Sequence, residues 1–317
     1  MNIAVVIPCY REKSHIIDVI ESIGDDVSTV IVVDDACPDK TGEHVRNTCS
    51  DKRVEVIVLD RNLGVGGATM KGYERALEAG ADVIVKVDGD GQMDPRLIPT
   101  LVDPIVQGRA DYAKGNRFYN LDGLSEMPGL RIFGNLMLSF VSKMSSGYWN
   151  VFDPTNGFTA LHADTAKQLR FDRIDNSFFF ESDILLRLYL LRAVIEDVPM
   201  SARYGSEVSS LKVRNVIFEF SIKHYRNTVK RIFYTYFIRD FGIASVQLVM
   251  GKLLVLFGLI YGIIGWRESS ITGIPATAGT VLLAALPIIL GVQMLISFLN
   301  YDVKNVPSQP LQKSPKP

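Results

Sequence analysis

Cysteine is scarce in this chain. It has three in 317 residues, Cys9, Cys37 and Cys49, all within the first fifty positions. An odd count without close metal-ligand spacing argues against a disulfide framework or a zinc cluster and leaves reduced, partly buried thiols. Net charge is almost absent: 34 Lys plus Arg against 35 Asp plus Glu leave −1, so total charge selects no partner. A secretory leader is not expected either. The apolar run at 3–8 (IAVVIP) is interrupted by Arg11, Glu12 and Lys13 before a hydrophobic core develops, so the N-terminal body is expected to stay where it is made.

The near-zero total hides a division. Residues 1–211 carry 22 basic and 31 acidic side chains, a net of −9, whereas residues 212–317 carry 12 and 4, a net of +8. An acidic body joined to a basic, apolar tail fits a membrane surface better than nucleic acid, and no nucleic-acid partner is expected. The positive mean hydropathy of +0.16 comes mainly from the tail and disfavours a wholly soluble protein.

In the body, apolar β-rich runs recur at 3–8, 28–34, 54–59 and 82–88, separated by helical stretches at 14–22, 40–49 and 66–79. This alternation predicts βαβ units and an α/β, Rossmann-like doubly wound domain with a mostly parallel sheet. Ligands of such a domain sit beyond the carboxyl ends of the strands. Polar residues gather there: Tyr10 and Glu12 after the first strand, Asp34 and Asp35 after the second, Asp88 and Asp90 after the fourth. The glycine-rich 64–69 (GVGGAT) imitates a dinucleotide fingerprint, but it lacks the third glycine and follows the third strand. It reads as a tight loop with close helix–sheet packing.

The segment 85–95, VKVDGDGQMDP, is the most informative. Adjacent carboxylates at a strand end repel one another unless a cation or hydrogen-bond donors separate them. Hard oxygen ligands suit Mg²⁺ or Mn²⁺, which keeps positions open for substrate phosphates. The expectation is a metal–nucleotide-diphosphate site.

The motifs VVIPCYREK, VVDDACPDKT, NLGVGGATMKG, VDGDGQMDP, GNRFY and FDPTNGF occur in an order that resembles glycosyltransferase family 2, over roughly residues 3–212. The branch they resemble is that of the dolichyl- and polyprenyl-phosphate sugar transferases. The resemblance implies a GT-A fold, a single nucleotide-sugar domain and a divalent cation. It also implies that Pro8, Tyr10 and Glu12 border the nucleoside and that Asp34 or Asp35 bonds its base or ribose. Asp88, Gly89, Asp90 and Gln92 would face the donor diphosphate, with Asp88, Asp90 and Gln92 as metal ligands. Arg203 and Lys212, in ARYGSEVSSLK, resemble a diphosphate-contacting segment, in a longer form than is usual. Arg117 and Arg131 resemble the basic residues that hold an acceptor phosphate. Asp153 occupies the place of a catalytic carboxylate, either a general base or a group that orients the acceptor or the arginines.

The tail holds two apolar stretches, 241–266, broken only by Lys252, and the uncharged 273–300. About 20 residues cross the hydrocarbon core, so two spans are expected, joined by RESSIT. Residues 212–239 hold seven Lys or Arg, with Glu219 the single acid, interleaved with Phe and Tyr. That mixture predicts amphipathic helices on anionic lipid, and the positive-inside rule puts the body and both termini in the cytoplasm. The expected organisation is 1–211 transferase domain, 212–240 juxtamembrane helices, 241–300 membrane hairpin and 301–317 disordered tail. The expected activity is inverting transfer of a sugar, from a UDP-hexose or GDP-mannose, to polyprenyl phosphate for cell-envelope glycans. Its rivals are transfer to a sugar hydroxyl in polysaccharide synthesis and a catalytically degenerate membrane scaffold. A homo-oligomer is compatible with the sequence.

Overall fold

The computed structural model describes residues 1–119, 129–200 and 213–313, without side-chain detail at 130–133 and 213–217. The first four apolar runs are strands β1 (Ile3–Cys9), β2 (Thr29–Asp34), β3 (Val54–Val58) and β4 (Val83–Lys86). Helices α1 (Ile16–Glu21), α2 (Thr41–Thr48) and α3 (Gly64–Glu78) lie between them. Then come α4 (Ile98–Val106), β5 (Tyr112–Asn116), α5 (Gly129–Ser146), β6 (Thr159–His162), α6 (Ala163–Ala166), α7 (Phe180–Leu191) and β7 (Ile195–Pro199). The seven strands form one sheet in the order β3-β2-β1-β4-β6-β5-β7, in which β6 runs antiparallel to both neighbours. The expected mostly parallel α/β sheet is present.

Strand alternation sends successive side chains to opposite faces, so each strand feeds two cores. Val5, Ile7, Val30, Val32 and Val85 fill one face beneath α1 and α4. Ala4, Val6, Ile31, Val33 and Ile84 fill the other against α3 and α7. At Gly72 of α3 a Cβ would collide with Val6. That is the close helix–sheet packing expected of the glycine-rich segment. The first turn of α3 is capped within the chain, since Gly66 and Gly67 donate their N–H groups to the Asn176 carbonyl at 2.9 and 3.2 Å.

The described chain divides into two compact units, 1–228 with 306–317, and 229–305. The break falls within α8 (Val213–Phe233), later than the expected 211. His224 is bonded to Ser145 at 2.8 Å and Asn227 to Asp183 at 3.1 Å, which ties the first part of α8 to the body. The second unit contains α9 (Ile243–Thr272) and α10 (Ala278–Lys304), both long and apolar enough to cross a bilayer. Glycines bring them together: a Cβ on Gly251 or Gly291 would press on the other's carbonyl, and one on Gly258 on that of Ala284. RESSIT, expected as the connection, is helical. α9 ends at Gly273, whose φ of +68° suits a left-handed C-terminal cap, and 273–277 makes the turn. Below the hairpin Arg231 is sealed against Asp302, at 2.6 and 2.9 Å, and Tyr236 donates to the same carboxylate at 2.6 Å.

The expected disordered tail needs correction through residue 313. Val306 and Leu311 pack on the second core, with the 311–313 turn beside α6. The buried Asp111 carboxylate accepts the N–H groups of Leu311 and Gln312 at 2.9 and 3.1 Å, and the Gln312 amide donates to the carbonyls of Ile105 and Ala110. Buried acceptors supplied by the body are what order this polar, proline-rich stretch.

Candidate active site

The carboxyl ends of β1, β2 and β4 open on one edge of the sheet. Pairing sets Cys9 opposite Asp34 and Val6 opposite Lys86, so the turns after these strands are neighbours. Pro8 is buried in β1, whereas Tyr10 is exposed, with the Arg11 guanidinium 5.5 Å from its ring. Both acidic residues after β2 are engaged by backbone donors. Asp34 accepts from Cys37 and Gly42 at 2.7 and 2.6 Å, and Asp35 from Leu63 and Gly64 at 2.6 and 2.8 Å. Burial pushes the Asp35 carboxyl above its ordinary value, partly offset by those two N–H groups. The pair therefore fixes the loop walls next to any ligand at this edge.

Beyond β4 the Asp88-Gly89-Asp90 turn packs on the segment after β1, where a Gly89 Cβ would lie 3.4 Å from Glu12 Cβ and 3.3 Å from Ile16. Gly91 takes φ +73°, and Asp90 accepts the Gln92 N–H at 2.9 Å while the Gln92 side chain is exposed. Under the turn lies a cation that the sequence reading missed. Lys86 Nζ, fully buried, is 2.6 Å from Asp88 Oδ1 and 3.4 Å from Glu181 Oε1, over the Phe180 ring. Burial opposes its charge, yet the two carboxylates outweigh it and hold the ammonium protonated. Burial also pushes Glu181 up, less far because Lys86 and Lys114 face it. A Cβ at Gly157 would collide with Lys86, Asp88 and Glu181. The TNGF turn thus seals the underside of the DxD turn.

The second half of the site joins GNRFY to FDPTNGF. Asp153 is 1% exposed, and Arg117 grips it twice, Nε to Oδ2 at 2.8 Å and Nη2 to Oδ1 at 3.0 Å, with the Arg117 backbone N–H adding a third bond. Arg117 keeps 32% of its side chain exposed. Lys114 Nζ donates to the Asn156 carbonyl, and the Asn156 amide returns a bond to Gly115 at 2.8 Å. Asp197 on β7 supports both segments of this arrangement, accepting from Asn116 of β5 at 3.0 Å and from the Phe152 N–H at 2.9 Å. Burial pushes its carboxyl up to about 6.

Of the residues named from the sequence, the structure gathers Glu12, Asp88, Gly89 and Asp90 at one turn and joins Arg117 to Asp153. Arg203 and Lys212 lie outside the described residues, as does the side chain of Arg131. Lys86, Lys114, Glu181 and Asp197 went unnamed, although a lysine inside the apolar IVKVD strand was a usable signal. No cluster of three His, Cys, Asp or Glu side chains poised for a metal is gathered among the described residues. The turn instead offers two carboxylates and a carboxamide, a hard oxygen set that fits Mg²⁺ or Mn²⁺ with positions to spare.

A DxD turn thus lies at the carboxyl edge of the sheet, and a separate arginine–carboxylate pair joins the segments after β5 and before β6. The family model "Glycosyl transferase family 2" matches residues 4–170, and the chain belongs to that family. A UDP-N-acetylglucosamine–dolichyl-phosphate N-acetylglucosaminyltransferase of Methanococcus voltae is 31% identical over 238 residues, 69% of this chain and 92% of that protein. An undecaprenyl-phosphate mannosyltransferase of Micrococcus luteus is 31% identical over 205 residues, 63% of this chain and 83% of its own. These relatives fall in the polyprenyl-phosphate branch that the motif order resembles. Among solved structures, glucosyl-3-phosphoglycerate synthase from Mycobacterium tuberculosis, in complex with Mn²⁺, UDP and glucosyl-3-phosphoglycerate, has a TM-score of 0.55 at 18% identity. The match covers 73% of this chain and 79% of that one. The fold is GT-A.

Proposed function

We propose that this glycosyltransferase moves a sugar, with inversion, from a nucleotide sugar to the phosphate of a polyprenyl phosphate at the cytoplasmic face of a membrane. The supporting observation is the Arg117–Asp153 pair. A buried carboxylate with both oxygens on one guanidinium is poorly placed to take a proton. A hydroxyl acceptor would require that proton transfer. A phosphate monoester, with its second pKa near 6, arrives largely ionised and needs a cation to bring it to an anionic donor. Arg117, part-exposed and aimed by Asp153, supplies one, with Arg131 as the expected second. The attacking phosphate oxygen would approach the anomeric carbon opposite the departing diphosphate, held in line by these guanidinium groups. Asp88, Asp90 and Gln92 would hold a divalent cation, which when bound offsets charge on the departing nucleoside diphosphate. Lys86 and Glu181 keep Asp88 in place beneath the turn.

The relatives' acceptors, dolichyl and undecaprenyl phosphate, support the lipid assignment. The donor is a UDP- or GDP-sugar, and the UDP-N-acetylglucosamine in the name of the Methanococcus voltae relative supports the first. For topology, the chain leaves the body before the hairpin and returns to it at 306, so both ends of the hairpin belong on the body's side. The basic content of 212–239 favours the cytoplasm for that side.

The test is release of nucleoside diphosphate by purified protein with Mg²⁺ or Mn²⁺, with and without polyprenyl phosphate, across a panel of nucleotide sugars. Release that depends on lipid phosphate is expected. Equal release on a soluble sugar acceptor would favour the hydroxyl reading, and none under any condition would favour a scaffold. A reporter inserted at Ser270 should face away from the cytoplasm; a cytoplasmic signal there would exclude the hairpin.

A further inference from the structure

Among the described residues two lysines are buried, Lys86 on β4 and Lys114 on β5, and they are used differently. Lys114 donates to a neutral acceptor, the Asn156 carbonyl, and so serves the fold. Lys86 goes to carboxylates. Strand alternation sends it with Ile84 to the α7 face of the sheet, where its Nζ lies 2.6 Å from Asp88 Oδ1 and 3.4 Å from Glu181 Oε1. The Phe180 ring is 5.2 Å from the ammonium, and Gly157 packs so closely that a Cβ there would strike it. The lysine is walled in, with 2% of its side chain exposed, but Asp88 keeps 27% of its own in contact with solvent. A buried positive charge is thus carried, through one carboxylate, to the surface of the DxD turn.

We propose that Lys86 is a positioning residue that offsets the charge of Asp88 from beneath, so that the DxD turn holds a divalent cation weakly until a diphosphate arrives with it. The proposal rests on the reading that Asp88, Asp90 and Gln92 take a divalent cation. The ion pair fixes one Asp88 oxygen and opposes a second cation on the same carboxylate. Burial strengthens that repulsion, because neither water nor salt screens the ammonium. Glu181 works the other way: it faces both Lys86 and Lys114 and takes up part of their positive charge. The lysine, in contact with Asp88, outweighs the carboxylate behind it. A nucleoside diphosphate brings negative charge and oxygen ligands of its own, which restore what Lys86 removes. A purely structural role predicts another sign. If Lys86 only keeps the turn in shape, every change around it loosens the turn and weakens cation binding. If it acts through charge, removing it strengthens binding, and removing its competitor Glu181 weakens it.

The test titrates the full chain in detergent with Mn²⁺ and reads the free ion by its EPR signal, with Asp90→Asn as the blank for ion binding elsewhere on the acidic body. Glu181→Gln, close in shape to the native side chain, is compared with the double variant Lys86→Met/Glu181→Gln, which removes one charge of each sign. Without nucleotide, the double variant should bind Mn²⁺ severalfold more tightly than wild type, and Glu181→Gln severalfold more weakly. Added UDP or GDP should tighten Mn²⁺ binding strongly in wild type and less in the double variant, and Mn²⁺ should tighten nucleotide binding by the same factors. In turnover the double variant should lower the KM for nucleotide sugar and lower kcat with it. Weaker Mn²⁺ binding in both variants, with thermal melts like wild type, overturns the proposal and leaves Lys86 a structural residue of the turn. Equal affinity in all three proteins overturns it as well. If the double variant does not fold, the sign for Glu181→Gln decides alone, and unchanged or tighter binding there overturns the proposal. Wild type that binds no more Mn²⁺ than Asp90→Asn, with either nucleotide present, overturns the metal reading itself and the proposal with it.

Discussion

Two arginine–carboxylate pairs in this chain have the same chemistry and different fates. Arg231 and Asp302, below the hairpin, are both sealed from solvent, and Tyr236 adds a further donor. In the body, Asp153 is equally buried but Arg117 is about one-third exposed. Removing two charges from water costs several kcal/mol per ion, which good geometry can recover but seldom exceeds. The sealed pair is thus a staple that fixes how chain segments meet. The half-open pair leaves one partner with surface on which a ligand could be recruited.

The sharpest way to break the contrast is to remove one carboxylate from each pair. Asp302→Ala should destabilise the hairpin unit by about 3–5 kcal/mol, since it strands a buried guanidinium. Thermal unfolding in detergent measures this, and a melting curve equal to wild type would end the staple reading. Asp90→Asn should leave the fold intact and cut turnover about a thousandfold, on the order of 4 kcal/mol of transition-state stabilisation. Wild-type activity in the presence of a chelator would refute the metal assignment. Arg117→Ala should raise the KM for polyprenyl phosphate and lower kcat, together about 100-fold, while Asp153→Asn should lose activity without removing an ionisation near neutral pH from the kcat profile. Loss of a basic limb at pH 6–7 in Asp153→Asn, with Arg117→Ala active, would make Asp153 a general base.

The smallest effect concerns two buried groups that titrate in opposite senses. The Asp197 carboxyl is pushed up to about 6, so the folded chain holds its proton longer than the unfolded one. Its contribution is full below the ordinary value near 4 and is lost as pH rises through 6. His224 is pushed down by burial to about 4, so its contribution is full above the ordinary value near 6.5 and is lost as pH falls. The two slopes oppose each other between pH 4 and 6. Asp197→Asn should therefore leave stability that rises with pH across that window, and His224→Asn stability that falls, each by roughly 1–3 kcal/mol. Denaturant melts at pH 4, 5 and 6 check the signs.

Strands β1, β2 and β4 were legible in the sequence because burial on both faces writes a mostly apolar run, and the part-buried edge strand β3 because VEVIV is rich in β-branched residues. β5 and β7 were not. Lys114 sits in the middle of YAKGN and two acids in IEDVP, and each charge is satisfied by a partner far along the chain. The DxD turn could be found because its residues are adjacent. Lys86 and Glu181 meet across 95 positions, and only the sheet reveals that they share Asp88. The tail looked disordered because what orders it is a carboxylate 200 residues earlier.

That strap carries a consequence for how the molecule is made. Residues 306–313 are synthesised after both hairpin helices, yet they complete the body: until they arrive, Asp111 has only the Val194 N–H among these three backbone donors. A chain that stops before 306, or whose second hairpin end is carried away from the body, cannot deliver the strap to Asp111. The body of such a chain keeps a buried carboxylate short of two donors and an uncovered apolar patch where Val306 and Leu311 belong. Completion of the body thereby waits on residues made after the whole of 229–305.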